Sequence, residues 1–332
     1  MKALLSLEAG GPEALVMREL PDPLPSPGEL GVRVLACGLN FPDLLIIEDK
    51  YQVKPPRPFA PGAEVCAEVT HVGEGVEGWR PGDRLVAVTT HGGLGERMLV
   101  QAGKAFHLPS GKDPVEGAAL LLTYATAGYA LLDRGGLRAG ETLLVLGAAG
   151  GVGLATVELG KLLGARVVAA TSTAEKAAIA RSAGADQAIV YGPDELQGDS
   201  QRQFAADLKR LLGPEGAQLV CDPVGGSLAE PALRALGFGG RYLVVGFAGG
   251  IPRIPLNLPL LKGCDIRGVY WGAYVDRHPE ASRRGVERLL AWWKEGSLRP
   301  RIDRTFDLDH GREALQYVAA RRALGKVVVT MA

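Results

Sequence analysis

The segment of this 332-residue chain with the clearest chemistry is Gly147–Gly153, which reads GAAGGVG. It follows an apolar, strand-like run, Thr142–Leu146, and leads into a helix-like pattern. Small residues let a backbone approach a pyrophosphate, and the helix that follows offers unpaired N–H groups and the positive end of its dipole. A tight turn that only packs glycines is the alternative, but a strand before and a helix after it favour a dinucleotide site. The residues predicted to contact the cofactor are Ala148, Ala149, Gly150, Gly151, Val152 and Gly153.

The end of the next predicted strand indicates which dinucleotide is bound. Proteins that bind NAD usually place Asp or Glu there, on the ribose 2′-hydroxyl. This chain has Thr171, Ser172 and Thr173 instead, followed by Lys176. Without a carboxylate a 2′-phosphate is not repelled, and hydroxyls and an ammonium can bind it. Lys176 as an ordinary solvated charge is the alternative, although a cation at a helix start opposes the dipole. We predict NADPH as the cofactor.

The elements around this segment fall into three stretches. From LLVLGA to RYLVVGF, apolar strand-like runs alternate with helix-like runs, which predicts βαβ units and a parallel sheet covered on both faces. Before it, short β-type runs separated by Pro and Gly predict a barrel-like unit. After it, from about Asp265, too few elements remain for an independent core, so this part is expected to fold back onto the first unit.

Composition excludes several classes of protein. The 37 basic and 37 acidic residues cancel, which disfavours a nucleic-acid binder that relies on a broad basic surface. The two longest uncharged runs, Gly117–Leu132 and Thr142–Val157, contain several glycines and are shorter than the roughly 20 apolar residues that a membrane helix needs. The N-terminal residues lack the apolar core of a secretion signal, and four scattered cysteines form no CxxC pair. We therefore expect a cytoplasmic protein with reduced thiols and no membrane partner.

Together these motifs resemble the medium-chain dehydrogenase/reductase superfamily over nearly the whole chain, and within it the zinc-free, zeta-crystallin-like quinone oxidoreductases. The matching segments are CGLNFPDLL (37–45), PFAPGAE (58–64), RPGDR (80–84), TYATAGYAL (123–131), GAAGGVG (147–153), STAEK (172–176), DPVGG (222–226), GGRYLVVGFAGG (239–250) and IPLNLPLLKGCDIRGVYWG (254–272). The resemblance implies an α/β fold: a GroES-like, β-barrel-type catalytic domain at 1–122 and 266–332, and a doubly wound Rossmann NADP-binding domain at 123–265. It also implies a homodimer.

The resemblance bears on zinc residue by residue. Where zinc alcohol dehydrogenases of the superfamily carry CGxCHxD, the ligand cysteine falls on Asn40, and where they carry GHE, the ligand histidine falls on Ala63. A catalytic zinc needs three protein ligands, and Glu64 alone cannot supply them. We predict no bound metal.

The resemblance also implies roles for particular residues. It places Asn40, Asp43 and Tyr51 at the mouth of the catalytic domain and Thr126 near the nicotinamide. We predict that Asn40 and Tyr51 donate hydrogen bonds to the substrate oxygen and that Thr126 positions cofactor or substrate. A rim contact for Tyr51 and a helix cap or ion-pair partner for Asp43 are the alternatives. The further implied contacts are Tyr191 and Arg321 at the 2′-phosphate, and Phe247 and Asn257 beside the nicotinamide.

Without a metal, the chemistry that fits is reduction. Dehydrogenating an alcohol requires a stabilised alkoxide, which zinc provides as a Lewis acid. A quinone or a conjugated enone already accepts electrons, so NADPH can supply the hydride while the protein orients the reactants and donates hydrogen bonds to the developing oxyanion. We predict a quinone reductase. An enoyl or alkenal reductase, or a non-catalytic NADPH- or RNA-binding relative, are the alternatives.

The strand-like Ile266–Trp271 would leave an open sheet edge, which independently predicts a homodimer.

Overall fold

The computed structural model of the protein describes residues 1–192 and 194–331. Its strands, in chain order, are β1 (Lys2–Leu5), β2 (Val16–Glu19), β3 (Glu29–Leu39), β4 (Glu64–Val72), β5 (Arg84–Val88), β6 (Arg97–Gln101), β7 (Ala105–His107), β8 (Thr142–Leu146), β9 (Arg166–Thr171), β10 (Gln187–Val190), β11 (Ala217–Asp222), β12 (Leu236–Val244), β13 (Asp265–Gly268), β14 (Ile302–Asp307) and β15 (Lys326–Thr330). Its α-helices are α1 (Phe41–Ile47), α2 (Pro114–Gly117), α3 (Leu121–Gly128), α4 (Gly151–Leu162), α5 (Ala174–Ser182), α6 (Gly198–Leu212), α7 (Ala229–Ala235), α8 (Asn257–Lys262), α9 (Trp271–Arg277), α10 (Pro279–Lys294) and α11 (Gly311–Ala319). Across these two described ranges, no helix is long and apolar enough to cross a membrane.

The first of two compact units comprises Met1–Leu122 and Arg299–Ala332. Its seven-stranded sheet runs in the order β14-β15-β3-β4-β5-β7, with β6 also paired to β3. Strand β3 is central because it pairs with β4, β6 and β15, all antiparallel to it. Its Leu30, Val32 and Val34 are buried in the core, as expected for alternate residues on one face of a strand. The antiparallel register places the start of β15 beside the end of β3.

The second unit, Thr123–Leu298, is built on a six-stranded parallel sheet in the order β10-β9-β8-β11-β12-β13. All five neighbouring pairs are parallel, which confirms the predicted βαβ arrangement. Strand β8 is buried at every residue, as a strand covered by helices on both faces must be. The order reverses between β8 and β11, and dinucleotides bind outside the carboxyl ends of the strands at such a point.

The division of the chain differs from the predicted domain ranges at the second boundary. The chain returns to the first unit at Arg299, whereas we predicted a return at residue 266. Residues 266–298 remain in the second unit because β13 extends the parallel sheet beside β12, and Leu289 of α10 lies against Gly128 of α3. The strand predicted at Ile266–Trp271 is shorter than expected, because it ends at Gly268 and α9 begins at Trp271.

Candidate functional site

The glycine-rich turn has the geometry of a phosphate-binding turn. Gly147, just beyond β8, has a φ of +58°, in the left-handed region that favours glycine. A Cβ on Gly153 would lie 2.2 Å from the carbonyl oxygen of Gly147, so no side chain fits there. Helix α4 begins at Gly151, and no side chain among the described residues caps its N-terminus. The first N–H groups of the helix therefore remain available to an anion.

The residues predicted to recognise the 2′-phosphate follow β9, the strand next to β8. The hydroxyl of Thr173 accepts a hydrogen bond from the N–H of Lys176 at 3.2 Å, which caps α5. The hydroxyl of Thr171 donates to the carbonyl of Thr173 at 3.1 Å. Thr173 can still donate its own hydroxyl hydrogen, and half-buried Ser172 lies between the two threonines. Tyr191 donates its N–H to the carbonyl of Thr171 at 2.9 Å, so it also lies at this edge.

Of the other residues predicted at the cofactor, three lie elsewhere in the second unit and one lies in the first unit. Phe247 follows β12 in a loop and is 45% exposed, and Asn257 is the exposed first residue of α8. Thr126 is half-buried in α3, which continues into a π-helical turn at Tyr129–Arg134. Arg321 lies in the first unit, after α11, with a φ of +55°. Its contact with a 2′-phosphate stays a prediction.

A buried polar cluster lies in the first unit where the end of β3 meets the starts of β4 and β15. The ammonium of Lys326 donates to Glu64 Oε2 at 2.8 Å and to Asn40 Oδ1 at 2.5 Å. It also donates to the carbonyl of Leu39 at 3.0 Å. The side chains of Lys326 and Glu64 are 5% and 0% exposed, so this ion pair is screened little by solvent.

The amide of Asn40 is fully engaged within this cluster. Its Nδ2 donates to the carbonyl of Gly38 and to Glu64 Oε2, each at 3.0 Å. Its Oδ1 accepts from Lys326. Because an amide has two N–H donors, donation by Asn40 to a substrate oxygen requires one of these bonds to be exchanged.

Asp43, in the first turn of α1, belongs to the same region. Its Oδ2 accepts a hydrogen bond from the N–H of Asn40 at 2.7 Å. Asp43 therefore caps the start of α1, which was one of the alternatives for this residue. Burial raises the pKa of Asp43 to about 6, although the N–H groups of Asn40 and Gly62 and the ammonium of Lys326 oppose the rise. Within the described residues, Asp43 Oδ1 forms no hydrogen bond of good geometry.

Tyr51 lies in an irregular segment that follows α1 and packs against the core of the first unit. Arg57 ties the two ends of this segment together. Its Nη1 donates to both carboxylate oxygens of Asp49, at 2.9 and 3.1 Å, and its Nη2 donates to the carbonyl of Ile47 at 2.9 Å. Asp49 has a φ of +57°, in the left-handed region that Asp tolerates better than most residues. The segment that carries Tyr51 is therefore held at both ends.

The donors of the first unit do not fit a catalytic zinc. Among residues 1–192 and 194–331, no group of three or more His, Cys, Asp or Glu side chains could hold a metal ion. Glu64 and Asn40 come together, but the ammonium of Lys326 already lies on the oxygens that would face a cation. Lys326 was missed at the level of sequence. The available signal was a lysine directly before three valines in the strand-like run KVVVT, where a buried cation requires a partner.

The chain is similar to known proteins along nearly its whole length. Residues 26–113 match the family described as Alcohol dehydrogenase GroES-like domain, and residues 151–289 match the family described as Zinc-binding dehydrogenase. It is 34% identical over 319 residues to Quinone oxidoreductase-like protein 2 of Bos taurus, covering 96% of this chain and 89% of that protein. The solved structure of mycobacterial Rv1454c complexed with NADPH is 30% identical, with a TM-score of 0.91 and coverage of 99% and 100%. The CurK enoyl reductase structure, 24% identical over 100% and 99% of the two chains with a TM-score of 0.88, shares the fold.

A GroES-like unit together with a Rossmann-type unit that has an open phosphate turn defines an oxidoreductase of the dehydrogenase class. The chain belongs to the medium-chain dehydrogenase/reductase superfamily, in its zinc-free, quinone oxidoreductase-like family.

Proposed function

We propose that this protein reduces quinones with NADPH, by hydride transfer from the nicotinamide and without zinc. The observation that carries the proposal is the edge of the second unit, where the open turn at Gly147–Gly153 lies beside hydroxyls and Lys176 instead of a carboxylate. This set of groups favours a pyrophosphate with a 2′-phosphate next to it. The NADPH in the Rv1454c structure supports the same cofactor.

In this proposal the residues of the first unit act on the acceptor. Tyr51 donates a hydrogen bond to the oxygen on which negative charge develops, and such donors act mainly in the transition state. Asn40 contributes as a donor only if it exchanges one of its two internal bonds, so we assign it the smaller share. For Thr126 we propose the positioning of cofactor or substrate. Asp43 supports the start of α1, and its buried carboxyl adds negative charge that Lys326 offsets.

A conjugated enone is the second candidate acceptor, because hydride addition to it also places charge on an oxygen. A quinone accepts that charge more easily, so it depends less on donated hydrogen bonds. Reduction of enones alone would favour the enoyl or alkenal reductase alternative. Binding of NADPH with turnover of neither acceptor would favour a non-catalytic relative, which a titration with RNA then tests.

The experiment follows NADPH oxidation in single turnovers at saturating cofactor, with one quinone and one enone. Replacing Tyr51→Phe is expected to slow the enone reaction by about a hundredfold to a thousandfold, the range for losing one oxyanion donor, and the quinone reaction by less. The matched control is Tyr317→Phe, which removes a tyrosine–carboxylate hydrogen bond to Asp303 elsewhere in the first unit. Unchanged rates with Tyr51→Phe would mean that this residue only shapes the pocket.

We also propose a homodimer in the cytoplasm. Strand β13 is an edge of the second unit's sheet, and Ile266 on it is 41% exposed, so pairing with a second copy would cover it. Light scattering that returns the mass of one 34.9 kDa chain at micromolar concentration would contradict the dimer. The four free cysteines support a reducing compartment.

A further inference from the structure

Two loops of the second unit, residues 223–226 after β11 and 245–250 after β12, form a pair that we call the paired loops. In the order β10-β9-β8-β11-β12-β13, they follow the strands on the side of β8 opposite to β9 and Lys176. A dinucleotide bound across this edge of a doubly wound sheet has one half on each side of the phosphate turn. If the 2′-phosphate half lies at β9, the nicotinamide half lies at the paired loops.

A buried carboxylate fixes the first of these loops. Asp222, the last residue of β11, accepts hydrogen bonds at Oδ1 from the N–H groups of Val224 and Gly225, both at 2.8 Å. Its Oδ2 accepts from the hydroxyl of Tyr242, on β12, at 2.5 Å. Asp222 and Tyr242 are 2% and 3% exposed. Burial raises the pKa of Tyr242 well above its ordinary value, so the hydroxyl keeps the proton that it donates.

Backbone bonds join the second loop to the first. Gly249 donates its N–H to the carbonyl of Val224 at 2.6 Å, and Gly226 donates its N–H to the carbonyl of Gly250 at 2.8 Å. A Cβ on Gly226 would lie 2.4 Å from the carbonyl oxygen of Gly249, and one on Gly225 would lie 2.6 Å from that of Gly250. The paired loops approach each other so closely that only glycine fits at positions 225 and 226. Their backbone hydrogen bonds hold the two loops together.

The paired loops also contact the phosphate turn. A Cβ on Gly147 would lie 2.6 Å from Cγ2 of Val224, so the position of Val224 is set directly against the turn. Phe247, which is 45% exposed, belongs to the second of the paired loops. We propose that Asp222 and Tyr242 are positioning residues for the nicotinamide half of the bound dinucleotide, because they fix the paired loops against the phosphate turn. The inference rests on the proposed use of NADPH, and it assigns neither residue a contact with the reacting atoms.

Three variants test the inference in graded steps. Asp222→Ala removes all three side-chain bonds, Tyr242→Phe removes one, and Asp222→Asn keeps an acceptor for the loop and a polar partner for Tyr242. We expect the dissociation constant for NADPH to rise by about tenfold in the first, about threefold to fivefold in the second and less in the third. Hydride transfer at saturating NADPH is expected to slow more, by up to about a hundredfold, because a misplacement of about 1 Å has that effect.

The deciding probe is adenosine 2′,5′-bisphosphate, which carries the 2′-phosphate half of the cofactor without the nicotinamide. Its affinity is expected to stay within about twofold in every variant, as is the NADPH affinity of the control Tyr317→Phe. Equal losses for NADPH and the bisphosphate would overturn the inference, because the pair would then support the whole unit. No loss for NADPH in Tyr242→Phe and Asp222→Ala would overturn it as well. If Asp222→Ala does not fold, the other two variants decide. These affinities need no acceptor, so a wild-type protein that binds NADPH but reduces no quinone contradicts the proposed function alone.

Discussion

In the first unit, the polar groups of the buried cluster satisfy one another, whereas in the second unit no described side chain caps the N–H groups that begin α4. Lys326, Asn40 and Glu64 bind each other at 2.5–3.0 Å, with both amide hydrogens of Asn40 engaged. At the start of α4, Gly150 and Gly151 leave the backbone open. The first arrangement is a buried network whose polar groups are paired, and the second leaves N–H groups available to an anion.

The difference shows where each unit is sensitive to change. A buried ion pair contributes little net stability over an apolar core, but removal of one partner leaves a buried charge and is strongly destabilising. A backbone turn has no side chain to lose, and it is disrupted by adding one. The cluster is therefore sensitive to the loss of a side chain, and the turn is sensitive to the addition of one.

The most disruptive change that we predict lowers the stability of the first unit. Replacing Lys326→Met removes the ammonium and leaves the carboxylate of Glu64 buried, which is expected to lower the free energy of unfolding by about 3–5 kcal/mol. The exposed Lys54 offers the matched control, and Lys54→Met is expected to change it by less than about 0.5 kcal/mol. Urea unfolding measures both. Equal stabilities would show that the cluster does not need its cation.

The next effect is on the turn of the second unit. In Gly153→Ala the added methyl group would collide with the carbonyl of Gly147, so NADPH affinity is expected to fall by at least about a hundredfold, or about 2.7 kcal/mol. Gly285, in α10, has open space around its Cα and is the control. Gly285→Ala is expected to leave binding unchanged and to stabilise the helix by about 0.8–1 kcal/mol. Titration by fluorescence measures the affinities, and tight binding by Gly153→Ala would contradict this geometry.

The third effect is a pH dependence in the first unit. Burial raises the pKa of Asp43 from its ordinary value of 3.8 to about 6, so the folded protein holds this proton more tightly than the unfolded chain. The contribution of this proton to the free energy of unfolding is present at low pH and is lost as the pH rises from about 4 through about 6. Asparagine has no such proton, so the stability of Asp43→Asn relative to wild type is expected to rise by about 2 kcal/mol between about pH 4 and pH 7.

Unfolding in urea across this pH range checks the expectation. The exposed Asp199 on α6 gives the control, since Asp199→Asn is expected to show no comparable rise. A constant difference between Asp43→Asn and wild type would show that folding does not raise the pKa of Asp43.

The smallest effect is on cofactor selectivity in the second unit. A hydrogen bond to a charged group contributes about 1.5–3 kcal/mol, so Lys176→Ala is expected to weaken NADPH binding by about tenfold to a hundredfold. NADH lacks the 2′-phosphate, and its affinity is expected to stay the same. Lys209→Ala, at an exposed lysine of the same unit, is the control for both cofactors. Equal losses for NADPH and NADH would assign Lys176 a structural role.

The same contrast explains how much the sequence could predict. The turn at Gly147–Gly153 was predictable because the strand, the glycines and the helix are consecutive in the chain. The partner of Glu64 was not, because Lys326 reaches it only through the pairing of β15 with β3, and no local pattern encodes a pairing between distant residues. The predicted position of the second domain boundary differs from the structure for a related reason. The run after Asp265 has strand character, but which sheet it joins depends on the pairing of β13 with β12.

We propose that hydride transfer from NADPH to a quinone needs no metal in this protein, where an ammonium lies on the oxygens of Glu64 and Asn40 that would otherwise face a cation. The most direct test measures NADPH oxidation with a quinone on one preparation, before and after exhaustive chelation, with the zinc content determined in parallel. We expect the same rate in both samples and a zinc content far below one ion per chain. A rate that falls with chelation and returns in proportion to added zinc would contradict a zinc-independent reaction.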